Sequence, residues 1–400
     1  MSMDMQRFTL IDSSSGDYAA DAVIDASSPG LKPAAHGWSV CMRRLHGGPS
    51  DGIDVVNLDN GHLQLAILPT RGMGIWKGRC GNIPLQWHSP VGHPVHPSLV
   101  DQSRRGGIGW LDGFNELICR CGLAWNGAPG TDTIRDANGN IISEQFLPLH
   151  GRIANLIAHE VHVEIYHADT IRLIGVVDET GMFGERFRLT SVLSTVTGSS
   201  QFEIRDTVTN LGGRPAEMEM LYHCNFGRPV LGEGATFHTA ATRVAPRDAR
   251  AAEDVGTWKT FTGPTVGYAE QVYFVSPVSD SFGRGHAVLR SSDGTSAIAV
   301  DFDTATLPWF SLWKNTQEEA GGYVCGLEPG SGLPNNRNFE RQQGRVISLE
   351  PGQSTEFSVS FTIAESKKQA AAMIREVESL QRDTYCSVES YPVSDLSPIG

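Results

Sequence analysis

Residues 171–208, IRLIGVVDETGMFGERFRLTSVLSTVTGSSQFEIRDTV, decide the fold class. Ile171 to Val177, Phe187 to Val196 and Phe202 to Val208 are rich in β-branched and aromatic residues, and glycine-containing turns separate them. Strands at such short intervals, with no helical period between them, pair antiparallel, because parallel neighbours need a long crossover.

The same pattern continues outward in both directions. Upstream, Leu63, Leu65 and Ile67 alternate with other residues and stop at Pro69-Thr70-Arg71-Gly72, a strand feeding a tight turn that places Arg71 at a strand end. Asn138-Gly139 between Ile134 and Ile141 suits the positive φ angles of a two-residue hairpin turn. Downstream, strands are expected up to Tyr222-His223-Cys224-Asn225-Phe226-Gly227, over Tyr268 to Phe274, over Trp309 to Lys314, and over Phe357 to Ile363. Only then does a helix appear, where Ser366 and Gln369 form a capping-box pattern ahead of Met373, Ile374, Val377 and Leu380. The expectation is an all-β, antiparallel body over residues 41–365, an N-terminal extension (1–40) wrapping it, and a C-terminal helix and tail (366–400).

Of the 400 residues, 32 are Lys or Arg and 45 are Asp or Glu, a net charge of −13. So acidic a chain repels phosphodiester backbones and anionic lipid, so neither nucleic acid nor membrane is expected as a partner. The segment Met1–Arg7 lacks the basic and apolar regions of a signal peptide, and no apolar run approaches the length of a membrane span, so a cytoplasmic location is expected. Seven cysteines scattered over this length read as reduced thiols. Cys119-Arg120-Cys121 has a single intervening residue, shorter than a zinc knuckle, and prolines interrupt His88, His93 and His96; no metal and no cofactor are expected. Either a monomer or a homodimer fits this composition.

Chemistry is read first at Cys325-Gly326-Leu327-Glu328-Pro329-Gly330-Ser331-Gly332. Pro329 keeps Glu328 out of the α region and Pro-Gly then turns the chain, so the carboxylate is aimed from a strand end. An acid before a turn is by itself usually a surface acid. Its company makes it a candidate: His150 and Arg152 on either side of Gly151, His223, Glu270 and Gln271, Arg71, Arg120, and Trp309, Trp313 and Lys314, all at strand ends or rims. A carboxylate facing an imidazole can move protons in both directions near neutral pH. Aromatic faces and arginine forks suit polyhydroxylated rings. The plainer reading makes His223 a core histidine and pairs the arginines with Glu116, Glu270 and Asp112 as a rigid brace.

Leu68-Pro69-Thr70-Arg71-Gly72-Met73-Gly74, the run Gly109 to Gly127, Leu149-His150-Gly151-Arg152, Tyr222-His223 with Asn225 and Gly227, and Gly326-Leu327-Glu328-Pro329 together resemble the galactose mutarotase superfamily. The resemblance covers residues 40–365 and lies with a branch of aldose 1-epimerase-like proteins of unknown function. It implies an antiparallel β-supersandwich with a sugar cleft, and mutarotation with Glu328 as base and His223 as acid. It further implies that His150 holds the sugar, that Glu270 grips hydroxyls, and that either Arg120 or Arg71 stands beside the ring. Cys224-Asn225-Phe226 replaces the superfamily's aromatic-Phe-Asn run, and its Asn-Arg-Ile segment is absent ahead of His150, which leaves the sugar open. The expected partner is a small-molecule carbohydrate, an anionic one if Arg71, Arg120 and Arg152, with Arg104 and Arg105 nearby, face the cleft. Two other readings share these residues: an isomerase or epimerase of an oxidised or open-chain sugar, and a carbohydrate-binding protein without turnover.

Overall fold

The computed structural model describes residues 5–31, 36–167 and 169–398. The stretch quoted first forms strands Thr170–Thr180, Arg186–Val196 and Gln201–Asn210, paired antiparallel in continuous register. Along the middle strand Phe187, Leu189, Ser191, Leu193 and Thr195 are buried while the residues between them are half-buried, the two-residue period of a sheet with one face on the core. These strands belong to a ten-stranded sheet. Within the N-terminal segment, Met5–Asp12 pairs with Glu160–Tyr166 and adds a strand to that sheet.

A second, fourteen-stranded sheet carries the candidate site. The strands used below are β1 (Leu63–Leu68), β2 (Gly74–Cys80), β3 (Ile118–Leu123), β4 (Ala216–Phe226), β5 (Gln271–Pro277), β6 (Trp309–Asn315) and β7 (Val324–Gly330). They lie side by side in the order β5–β6–β7–β4–β3–β2–β1, antiparallel throughout. Strand β8 (Ser354–Ala364) sits in the ten-stranded sheet. Helix α1 (Lys367–Gln381) follows, with Ser366 Oγ accepting from the Gln369 amide, and lays Ala370 and Val377 against Ala240, Val288, Ala297 and Ala299.

Between the sheets, Leu312, Tyr222, Cys224 and Leu327 from one side meet Phe187, Leu189, Val359 and Phe361 from the other. Arg120 of β3 reaches across that core to Asp206 of the opposite sheet. Its guanidinium also donates to Ser191 Oγ (2.7 Å) and to the Gly72 and Met73 carbonyls, and the Tyr222 hydroxyl donates to the same Asp206 carboxylate at 2.7 Å. A buried charge is tolerable only when so fully paired. The other face of the fourteen-stranded sheet is also covered in the middle. There Trp87, Trp110 and Phe114, from loops and a short 3₁₀ turn, close over Cys119, Cys121 and Leu221.

Candidate functional site

Register places the acid–base candidates. Strand β7 pairs Gly330 with Leu221 and Leu327 with Cys224 of β4, which sets Glu328 opposite His223; on its other side Glu328 pairs with Ser311 of β6, and His223 pairs with Cys119 of β3. Cys119, His223, Glu328 and Ser311 therefore form one row across four strands, on the face turned away from the second sheet. His223 Nε2 and Glu328 Oε1 are 3.3 Å apart, and both residues are about 5 % exposed or less.

What directs these two side chains is visible one row along, at Asn225, Gly326 and Trp313. The Asn225 amide nitrogen donates to the Glu116 and His223 carbonyls (3.0 and 3.1 Å), so its oxygen faces His223 Nδ1 at 2.6 Å and keeps a proton there. Nε2 is then the atom that titrates, and it points at the carboxylate. The Glu328 carboxylate folds back over Gly326: a Cβ there would lie 2.3 Å from Oε1. The glycine of the Gly-Leu-Glu-Pro run is the seat of the acid.

His150 enters from the loop after Ile141–Leu147 with φ of 61°, a conformation rare for a residue with a side chain and often kept at functional sites. It is held by its own amide on the Gly127 carbonyl (3.0 Å) and by Nδ1 on the Asn126 carbonyl (2.7 Å), leaving Nε2 for the cleft. Gly151 has to be glycine because the Gly122 and Trp125 carbonyls would each stand 2.2 Å from a Cβ. Trp110 meets His150 edge-on at 4.7 Å between ring centres; Phe114 and Trp313 meet His223 at 5.0 and 5.3 Å, and the two imidazoles are 5.5 Å apart. The cleft encloses about 460 Å³, and Ile108, Leu111, Leu149, Val272, Arg247 and Glu270 are also in its wall. That is within the usual size of a small-molecule site.

Burial governs the electrostatics. It pushes Glu328 well above the ordinary carboxylate range, and the Glu270 charge adds to it. Burial, then the neighbouring His150, brings His223 down to about 3, and burial brings His150 down to about 4. The Glu328–His223 pair is thus held with one proton between its two members over a wide pH range. Glu328 Oε1 lies close to His223 but not aligned for a hydrogen bond, and Ser311 Oγ and Trp110 Nε1 also have no partner among the described residues. Buried polar atoms left this way are costly unless a ligand or water meets them.

Of the residues singled out in the sequence, the structure gathers Glu328, His223, His150, Glu270 and Trp313 at the cleft. Glu270 accepts from Trp313 Nε1 (2.7 Å) and from Arg247 (3.0 Å). The others go elsewhere. Strand alternation sends Gln271 of β5, Lys314 of β6 and Arg120 of β3 to the face opposite Glu328. Gln271 bonds Asp254 and Tyr268, and the Lys314 ammonium donates to the Thr257 and Thr260 carbonyls, its pKa lowered by burial to about 8. Arg71 is buried on Glu116, Asn155 and two carbonyls, and Arg152 turns to Glu179. Trp309 shares the Glu328 face but packs under Arg345. Arg104 and Arg105 both pair with Asp112. Sequence reading missed Arg247, Trp110, Phe114, Ile108 and Leu111; apart from the apolar run after Gly109, no periodic signal marks them.

The residues 50–363 match the model of a domain of unknown function, DUF4432. A protein from Klebsiella pneumoniae subsp. pneumoniae, provisionally assigned as an aldose 1-epimerase, is 31 % identical, with a TM-score of 0.89 over 97 % of this chain and 99 % of that one. A galactose mutarotase-like protein from Clostridium acetobutylicum (13 % identity, TM-score 0.54, 86 % of this chain and 99 % of that one) shares the fold. So does an Escherichia coli K12 protein, also provisionally an aldose 1-epimerase (16 %, 0.52, 78 % and 100 %). No curated protein sequence matches. The chain belongs to the DUF4432 family and has the galactose mutarotase-like β-supersandwich fold.

Proposed function

We propose that the protein is an aldose 1-epimerase that interconverts the anomers of an uncharged sugar. The observation that carries this reading is the buried Glu328–His223 pair, 3.3 Å apart, with its proton-accepting and proton-donating atoms facing one cleft. Glu328 as carboxylate takes the proton of the C1 hydroxyl while His223 as imidazolium gives its Nε2 proton to the ring oxygen. The C1–O bond to the ring breaks, C1 becomes an aldehyde, and rotation about C1–C2 followed by the reverse transfers closes the ring on the other face. The pair passes from carboxylate and imidazolium to carboxylic acid and neutral imidazole, which is the distribution burial favours. The charged tautomer is the minor one at rest, and ring opening returns the pair to its neutral form. His150, neutral with Nε2 bare, accepts a hydrogen bond from one sugar hydroxyl, and Glu270 accepts one from another with its remaining lone pairs.

The lack of charge on the sugar follows from the wall. Arg247 is the cation lining the cleft, and it is already neutralised by Glu270 and by Asp248 at 2.8 Å. The remaining ionisable groups are carboxyls and neutral imidazoles. Saturation-transfer NMR on a panel of sugars at anomeric equilibrium tests the reading: exchange between anomers quickens with wild type and stops with Glu328→Gln, which keeps the shape but removes the base. Formation of a new sugar would assign the pair to isomerisation, and binding without exchange would make the protein a carbohydrate-binding one.

A further inference from the structure

A second cluster lies at the far side of the fourteen-stranded sheet. His62 stands just before β1, Cys80 ends β2 and Glu365 follows β8, and one nitrogen, sulfur or oxygen atom of each comes within 4.8 Å of the other two. No other described His, Cys, Asp and Glu residues converge in this way. Cys80 Sγ is 3.5 Å from Glu365 Oε1, and the same oxygen contacts His62 Nε2. The backbone beneath is fixed. Leu63 pairs with Cys80, the Gly81 amide donates to the His62 carbonyl (3.0 Å), and the His62 amide donates to Asn60 Oδ1 (2.9 Å). Glu365 is held at the start of α1 by its amide on Gln369 Oε1. Gly81 leaves the space that the carboxylate fills, since a Cβ there would come 2.0 Å from Glu365 Oε2.

We propose that His62, Cys80 and Glu365 form a three-ligand site for a thiophilic divalent cation of the zinc type, with solvent in the fourth position. The donor set of one imidazole, one thiolate and one carboxylate is what such an ion takes, and thiolate plus carboxylate cancel its charge. Around a tetrahedral ion, ligand atoms sit roughly 3–4 Å apart, given metal–ligand bonds of about 2.0–2.3 Å. The sulfur–oxygen distance already fits, the His62–Glu365 contact has to open, and the imidazole nitrogen and the sulfur are within 4.8 Å of each other. Side-chain exposures of 36 % for His62 and 27 % for Glu365 give the cluster a solvent side, and His62 also lines a groove with Trp38, Asp59, Gln64 and Arg79. Cys80 itself is fully covered by protein, so the ion reaches its sulfur from the His62 and Glu365 side. Bound metal would tie the β1–β2 hairpin to the end of β8, and so one sheet to the other. The three positions are too far apart in sequence for any spacing motif to reveal them.

The test is titration of the metal-free full-length chain with Co²⁺ under reducing conditions. One equivalent is expected to give a thiolate-to-cobalt charge-transfer band and the intense visible bands of a tetrahedral ion, both erased by Zn²⁺. Cys80→Ser is expected to lose the charge-transfer band, while Cys41→Ser and Cys386→Ser, at the partly exposed cysteines, keep it. Should Cys80→Ser fail to fold, Glu365→Gln, isosteric and half-exposed, is expected to weaken Co²⁺ binding by at least about tenfold. No thiolate band in the wild type, a band that survives Cys80→Ser, or unchanged affinity in Glu365→Gln would each overturn the proposal and leave a histidine–glutamate pair beside a buried thiol.

Discussion

Gly326→Ala is the sharpest probe of how the acid–base pair is built. The added methyl would stand 2.3 Å from Glu328 Oε1 and 3.2 Å from both Glu328 Cδ and Trp313 Cβ. Moving the oxygen out to ordinary contact displaces the carboxylate by about 1 Å, a misplacement that costs on the order of 10²-fold in rate. That is about 2.7 kcal/mol of transition-state stabilisation. The backbone is not the obstacle: Gly326 is not among the residues with positive φ, and alanine is the better strand former, so the melting temperature should stay within a few degrees. Anomer exchange by NMR should therefore show kcat falling about 100-fold, with KM changed far less, in a protein that melts like the wild type. In a Glu328→Ala background, where nothing occupies the seat, the same substitution should cost almost nothing, because the two changes act on one group. A Gly326→Ala enzyme within about threefold of wild type in kcat, or full additivity with Glu328→Ala, would refute the seat.

The pH profile should be displaced from that of an ordinary histidine acid. With His223 brought down to about 3, the acid limb of kcat/KM is expected far below 6.5, and a limb near 6.5 would show that His223 is not the buried acid. Glu328 has a folded pKa above its unfolded value of 4.5, so its contribution to stability is present below 4.5 and is lost as pH rises through the raised value. Glu328→Gln lacks that loss, and its melting temperature relative to wild type should rise from pH 4.5 to pH 8; a constant difference would contradict the buried acid. Neutral sugars should bind at least as tightly as the matching sugar acids or phosphates, with affinities indifferent to salt; tighter, salt-sensitive binding of the anion would show that Arg247 is free to pair with ligand.

Strand succession was legible, because hydrophobic alternation is local. Turn chemistry was legible only in part, since the Asn138-Gly139 hairpin forms with a five-residue loop in which Gly139 alone of the pair has positive φ, and Pro329-Gly330, expected to turn the chain, continues β7 in register with Phe310 and Trp309. Glu328 and His223 were legible for a related reason, since proline after the acid and the run of strand residues before the histidine place both at sheet positions. Which face a residue takes is not local. Gln271 and Lys314 look as suitable for a sugar as Glu270 and Trp313, yet each is one residue along its strand and so points into the core. The strand expected from Tyr268 begins at Gln271. Arg120 shows the same effect, lying between two cysteines that point to the cleft side of the sheet, under Trp110 and Phe114, while it crosses to Asp206. Arg247, Trp110 and Phe114 reach the site through turns whose course depends on what they pack against, and local patterns say nothing of that.

The cleft has two materials. Its floor is a row of strand residues anchored to the second sheet beneath by Arg120, whereas its roof and much of its wall are the 108–114 segment and side chains at loop ends. Such a division makes the chemistry and the choice of sugar separately evolvable. On the proposed function, randomising the loop residues Ile108, Leu111 and Leu149 should change which sugars are turned over while Glu328 and His223 go on moving the same two protons, so sugar specificity is open to redirection without rebuilding the acid–base pair.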